Sequence, residues 1–483
     1  MVAAPAQIEN PTVEDRKARG KSLRGEAAPS SHTGWEPAAD RPDPVALLEE
    51  QDSSREQDLV PVRHGRMMVS PFTFYRGAAK IMAADLRTTP RAGLNVQLCG
   101  DAHLSNFGMF GSPERTLLFD LNDFDETLSG PFEYDVKRMS ASFTIAGRNN
   151  GFAEADTRAV TLASVRAYRE SMAGFAKMGM MDVWYAHLSE QELLAAIRNL
   201  SRTADGKSKK EAKKEAKKGE KKAQAIVTKA RTRDSLQALS KLGELVDGRY
   251  RIVSQPPIVI PLRDLPATAE MSADEVRHVI EEQFRAYRST LQNDRRHLLE
   301  RFQIIDVARK VVGVGSVGTR AYIALLQGRD QQDPLFLQVK EATASVLEDH
   351  LPKSRFKQPG ERVVQGQRLM QAASDIYLGW TRGAADDRHF YWRQLRDMKA
   401  SVVVESMAPA NLGFYAGACG WTLARAHARS GDPIAIAAYL GKSDDFDRSI
   451  ADFSERYADQ NDRDFEAFVK ATRSGRLEVI EGV

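Results

Sequence analysis

The chain has 483 residues, 42% hydrophobic and 28% charged, which is ample for a large core and too long for one compact unit of ordinary size, so two lobes or domains are expected. A net charge of +3 gives no global argument for nucleic acid or membrane as a partner, and neither is expected. The two cysteines, Cys99 and Cys419, exclude a disulfide framework and a CxxC metal site.

The opening residues lack the basic flank and apolar core of a signal peptide, and no apolar run reaches membrane-spanning length. The expectation is a reduced, cytoplasmic protein of mixed helix and sheet. Residues 1–55 are rich in Ala, Pro, Ser, Glu and Arg with little apolar periodicity, and read as disordered. From "FTFYRGAAKIMAADL" the apolar spacing turns helical. "LNVQLCG" reads as a short strand entering the polar turn "CGDAHLSNFG", and "TLLFDL" as a strand entering "FDLNDFDE". Helices are expected from Tyr134 to Leu299, with a lysine-rich insertion at 203–232. That run reads either as a contact for phosphate or an acidic partner, or as a solvated helix or flexible insertion with no partner. The segment 56–302 is thus a helical unit. Strands follow over 303–400, with a helix at "GERVVQGQRLMQAASDIYLG" and a further strand at "HFYWRQLRD". Residues 401–483 return to helix.

In the strand-rich stretch, Gly313, Gly315 and Gly318 form G-x-G-x-x-G. Such glycines let backbone amides approach a phosphate with no Cβ in the way. A dinucleotide-binding turn would need a helix after the last glycine. "TRAYIALLQG" looks instead like the second arm of a hairpin, with or without a ligand. Lys340 closes the apolar strand "LFLQVKEA", where a lysine is costly to bury unless it meets an anion. A nucleotide-phosphate lysine requires such a strand under a glycine lid.

Phosphoryl transfer needs a carboxylate to orient the attacking hydroxyl, plus amide and carboxylate oxygens for divalent cations. "DAHLSN" supplies Asp101 and Asn106, and "NDFDETLSGPFEYD" supplies Asp123 and Asp125. On these residues the chain resembles the protein-kinase-like superfamily, specifically its small-molecule phosphotransferase branch, with a GD-x-x-x-x-N loop followed by an acidic segment ending in GP-x-x-YD. Its order is circularly permuted, because the loop near residue 100 precedes the glycine lid and Lys340. From about Arg63 onward, "SPFTFYRGAA", "CGDAHLSNFG", "NDFDET", "QVKEA", "GQRLMQAASD" and "LARAHARSGD" resemble the bacterial domain-of-unknown-function family 2252.

The resemblance implies an α+β, two-lobed kinase-like fold using ATP and Mg2+. Asp101 would orient the acceptor hydroxyl, and Asn106 and Asp123, with Asp125 nearby, would hold the metal. Gly313, Gly315, Gly318 and Lys340 would hold the triphosphate. Glu361 is favoured over Glu341 as the carboxylate partner of Lys340, since Glu341 points to the opposite strand face. His103 either touches substrate or phosphate or braces the loop. Asp120 is either a third metal ligand or the end of its strand, and Asp135 resembles the residue that braces the loop in relatives. Arg63, Arg66 and Arg76 either bind an anionic substrate or form ion pairs, and His427 reads as helix-end packing. Two positions depart from the pattern: Arg320 stands where protein kinases have Val, and Cys99 where many relatives have His. The expected activity is γ-phosphoryl transfer to an unidentified hydroxyl on a small molecule or a protein. AMP transfer and non-catalytic nucleotide binding stand as alternatives. A dinucleotide-dependent dehydrogenase leaves "GDAHLSN" and "NDFDE" unexplained.

Overall fold

The structure, a computed structural model, describes residues 10–203, 221, 224, 225, 227–265, 273–311, 313–383, 387–395 and 398–482. The lysine-rich run expected to be an insertion lies largely outside the described residues.

Residues 10–55, expected to be disordered, are ordered. Thr12 and Asp15 form a capping box that starts the helix Val13–Ser22, and Asp43 caps the helix Pro44–Asp52. Local periodicity misses this segment because distant partners hold it. Gly20 packs so closely on the helix Pro433–Leu440 that a Cβ there would lie 2.1 Å from the Ala435 carbonyl oxygen. Arg41 joins Asp85 and Asp464, each at 2.6 Å, with both carboxylates buried.

The main core is helical. The helices Phe132–Asn149, Glu154–Phe175, Pro409–Ser430 and Asp445–Arg473 pack around Phe132, Phe143, Tyr168 and Phe453. On this body sit two short antiparallel pairs: β1 (Asn95–Leu98) with β4 (Leu128–Pro131), and the hairpin of β2 (Phe107–Gly111) and β3 (Leu117–Leu121). Among the described residues, no helix is long and apolar enough to cross a membrane.

Helices dominate the stretch from Tyr134 to Leu299 as expected, but strands that were not expected interrupt it at 243–261. There β5 (Gly243–Val246) and β6 (Arg249–Ile252) form a hairpin, and β7 (Val259–Pro261) joins the large sheet. That sheet continues with β8 (Gln303–Lys310), β9 (Ala321–Gln327), β10 (Pro334–Ala342), β11 (Gly379–Arg382) and β12 (His389–Gln394). Its order is β11-β12-β10-β9-β8-β7, antiparallel throughout. The strand-rich unit therefore begins before residue 303. The helix Ala273–Ser289 also belongs with it, since Tyr287 stacks on Trp392 at 4.5 Å. The segment after Gly318 is β9, the return arm of a hairpin, so no helix follows the glycines as a dinucleotide-binding turn requires. In β10, Leu335 through Lys340 are all buried, which is why this strand reads as a continuous apolar run rather than an alternating one.

Candidate active site

β1 delivers the chain into a turn that only glycine can make. Gly100 has φ +86°, and a Cβ there would lie 2.1 Å from the Glu126 carbonyl oxygen. Asp135, in the first turn of the helix Phe132–Asn149, accepts hydrogen bonds from the amides of Cys99 at 2.6 Å and Gly100 at 2.9 Å. His427 joins Asp135 at 3.2 Å and takes the Tyr168 hydroxyl at 2.9 Å, all of them buried. Asp135 thus braces the loop, and His427 does more than close a helix end.

The turn presents Asp101 to solvent through a small opening, with its side chain 20% exposed. One carboxylate oxygen accepts from Arg138 Nε at 2.8 Å. Arg138 is itself fixed, donating to the Tyr75 carbonyl at 2.7 Å and lying 3.8 Å over the Tyr75 ring. The other oxygen stands 3.7 Å from His103 Nε2. His103 is buried, and burial pulls its pKa down to about 3, so the ring is neutral. Its Nδ1 accepts from the Ser105 amide at 3.2 Å, so the bracing reading is the one its contacts match. Asn106 donates from Nδ2 to the Asp101 carbonyl at 2.5 Å. Its amide oxygen is left to accept from, or ligate, something else.

The β2–β3 hairpin carries the acidic segment back beside this loop, where the Asn122 amide donates to the Asn106 carbonyl at 2.8 Å. Asp120 turns into the core, bonded to Arg425 and to the Ala372 amide at 2.8 Å, which removes it as a metal ligand. Asp123 and Asp125 face the cleft, with side chains 33% and 27% exposed. Lys340 Nζ reaches both, at 3.9 Å and 2.5 Å, and donates to Ser316 Oγ at 3.3 Å. Tyr391, opposite Lys340 on β12, donates to Asp125 at 2.7 Å. Burial and the Asp125 charge raise the pKa of Asp123. Asp125 is also raised by burial, but the charge and hydrogen bond of Lys340 outweigh that and hold it low. Burial opposes the charge on Lys340, yet the two carboxylates keep it firmly protonated.

The carboxylate partner of Lys340 is therefore Asp125, not Glu361. The helix Pro359–Met370 points Arg362 inward instead. Arg362 donates to the carbonyls of Thr127 at 2.6 Å and of Asp125 and Thr343 at 2.8 Å. Glu341 lies on the opposite strand face, as expected, and meets Arg320 at 3.2 Å and Arg388 at 3.3 Å.

The glycine loop closes the site from above. Gly313 and Gly318 take φ values of +69° and +85°, and a Cβ on Gly315 would come within 3.0 Å of the Arg76 carbonyl. The N-terminal segment holds the loop down: Arg66 donates to the Gly313 carbonyl and Arg55 to that of Val317, each at 2.5 Å, and the Glu56 amide donates to Gly318 at 2.7 Å. Arg63 is buried in an ion pair with Asp52 at 2.8 Å, which matches its ion-pair reading. Beneath the loop is a cavity of about 250 Å³ that Asp101, Asn106, Asp123 and Asp125 line together with Gly315 and Ser316.

The donor set suits a hard, oxygen-seeking cation. Among the described residues, no three His, Cys, Asp or Glu side chains are grouped as a ready metal cage. Two carboxylates and the Asn106 amide oxygen match the sparse protein share that a hard divalent cation takes when phosphates and water complete its shell. Ser316, Tyr391, Glu126 and Arg362 are not assigned to this site from the sequence, whereas Arg76, read there as either an anion-binding or an ion-pair arginine, lines the cavity. Ser316 carried a signal, lying inside the G-x-G-x-x-G stretch. Tyr391 carried none, because it arrives through strand register.

The chain belongs to the family of uncharacterised proteins conserved in bacteria, DUF2252, whose model matches residues 55–471. No curated protein and no solved structure matches the chain.

Proposed function

We propose that the protein is an ATP-dependent phosphotransferase that moves the γ-phosphoryl group to a hydroxyl acceptor, built on a kinase-like fold in circularly permuted order. The observation that carries this reading is the meeting of Asp125 and Lys340, 215 residues apart in sequence, in the cleft where Asp101, Asn106 and Ser316 also stand. Three features of the fold support it. Lys340 lies on the third strand counted from the glycine hairpin, as the phosphate-binding lysine of protein kinases does. Asn106 and Asp123 flank a hairpin, so both oxygens reach one place. The stretch 61–65 packs on 478–480, with the Ile480 amide donating to the Pro61 carbonyl at 2.9 Å, so the end of the last helical region lies beside the segment leading into the polar turn, the adjacency a permuted order needs.

In this reading Lys340 and the glycine-loop amides hold the phosphates, and Asn106, Asp123 and Asp125 hold magnesium. When bound, that ion neutralises charge on the phosphates. Asp101 presents its oxygen not tied to Arg138 to the acceptor hydroxyl. The acceptor oxygen bonds to the γ-phosphorus, the bond to the β–γ bridging oxygen breaks, ADP leaves, and the hydroxyl proton passes to Asp101. Arg138 holds that carboxylate in one orientation throughout.

Incubation of the full chain with a metabolite mixture and γ-labelled or α-labelled ATP tests this. Phosphotransfer puts the γ label alone on an acceptor. Transfer of the α label means AMP transfer, and no transfer of either label leaves a nucleotide-binding regulator.

A further inference from the structure

Arginine and lysine side chains crowd the candidate site, and nearly all are committed. Arg138 holds Asp101, Arg362 holds three carbonyls, Lys340 holds Asp125, and Arg55 spans Asp52 and Val317. Arg76 is the exception. It sits in the last turn of the helix Pro71–Gly77 and lines the same cavity as Asp101 and Asn106. Among the described residues its guanidinium has neither a hydrogen-bond nor an ion-pair partner, and its Nε is buried.

A part-buried guanidinium is stable next to a cavity when an anion fills the cavity, because its planar fork matches carboxylate and phosphate oxygens. Burial presses against its charge, and the negative groups that offset this, Glu405 and Asp101, are not in ion-pair contact with it. A second cation stands close by. Lys80 lines the cavity with its side chain 12% exposed, and its partners Glu50 and Asp349 are 65% and 51% exposed. Contacts to such solvent-facing carboxylates are weak and readily exchanged for a ligand.

We propose that Arg76, assisted by Lys80, receives an anionic group on the acceptor, which is thus a small hydroxy compound carrying a carboxylate or a phosphate. This rests on the phosphotransferase reading. It adds that Asp101 takes the hydroxyl end of the acceptor and Arg76 its charged end.

The test is calorimetric titration of the full chain, first saturated with Mg2+ and a non-hydrolysable ATP analogue so that added anions cannot occupy the nucleotide's phosphate positions. The probes are glycerol, glycerate and glycerol 3-phosphate. The proposal predicts that one or both anionic probes bind at least tenfold more tightly than glycerol; which one does so tells carboxylate from phosphate. Arg76→Met should weaken that binding at least tenfold, Lys80→Met less, and Arg76→Lys should retain part of it. Thermal melting checks that the variants fold, and Arg76→Gln replaces Arg76→Met should the latter fail. Equal affinity for glycerol and its anionic derivatives, or unchanged anion binding in Arg76→Met, overturns the proposal. If the ATP analogue itself does not bind, the phosphotransferase reading fails. The same titration without nucleotide, wild type against Arg76→Met, then decides the anion site alone.

Discussion

Asp101 and His103 sit two residues apart and carry different burdens. Asp101 has one carboxylate oxygen tied to Arg138 and one facing the cleft, so Asp101→Asn keeps the shape and removes the proton acceptor. We expect it to lower the chemical step by about 10²–10⁴-fold while Mg·ATP affinity measured by titration changes little. A loss of nucleotide binding instead would move Asp101 to the metal. His103 is neutral inside the fold, with its pKa pulled down to about 3, whereas the unfolded chain takes up a proton near pH 6.5. The unfolded state then binds more protons as pH falls, so stability is full above about pH 6.5 and declines below it. Asparagine can offer the Ser105 amide an oxygen where Nδ1 stands, without titrating. Chemical denaturation between pH 6 and 5 should show wild type losing up to about 1.4 kcal/mol per pH unit more than His103→Asn. Parallel curves for the two proteins would mean that His103 is not held neutral.

At the scale of elements, the sequence was most informative where an element carries its own signal. The glycine hairpin, the apolar strand ending in Lys340 and the two polar turns are each legible from a dozen residues. What was not legible is what strands and helices bring from elsewhere. The rotation of the helix Pro359–Met370 decides between Glu361 and Arg362, and only packing fixes it: Arg362 is buried and Glu361 is not. Glu361→Gln should shift stability by no more than about 0.5 kcal/mol and leave nucleotide affinity alone. Arg362→Met strips donors from three carbonyls and should cost about 3 kcal/mol or more, read from denaturant midpoints. The reverse ranking would mean that Glu361, not Arg362, is the side chain this helix turns into the fold. The ordered segment 10–55 was missed for a related reason, since its contacts are hundreds of residues away, as with Arg24 and the Tyr439 carbonyl at 2.8 Å.

Across the whole molecule, one consequence of this chain order is that the segment before the polar turn straps the glycine loop. Arg55, Glu56 and Arg66 bind three of its carbonyls, and Arg309 adds Asp58 at 2.9 Å. Replacing Arg55 and Arg66 together with Met should raise hydrogen exchange of the Gly313–Thr319 amides about tenfold or more, while the helical core stays protected. Unchanged exchange there would mean that the loop is held by its own turns. In the proposed function, residues from the two halves of the chain form one magnesium–nucleotide site. Calorimetric titration of a non-hydrolysable ATP analogue into the full chain, with and without Mg2+, tests it most directly when wild type is compared with Asp123→Asn. A single saturable site is expected, dependent on Mg2+ and weakened about tenfold or more in Asp123→Asn. No binding, or equal binding in both proteins regardless of Mg2+, would contradict it.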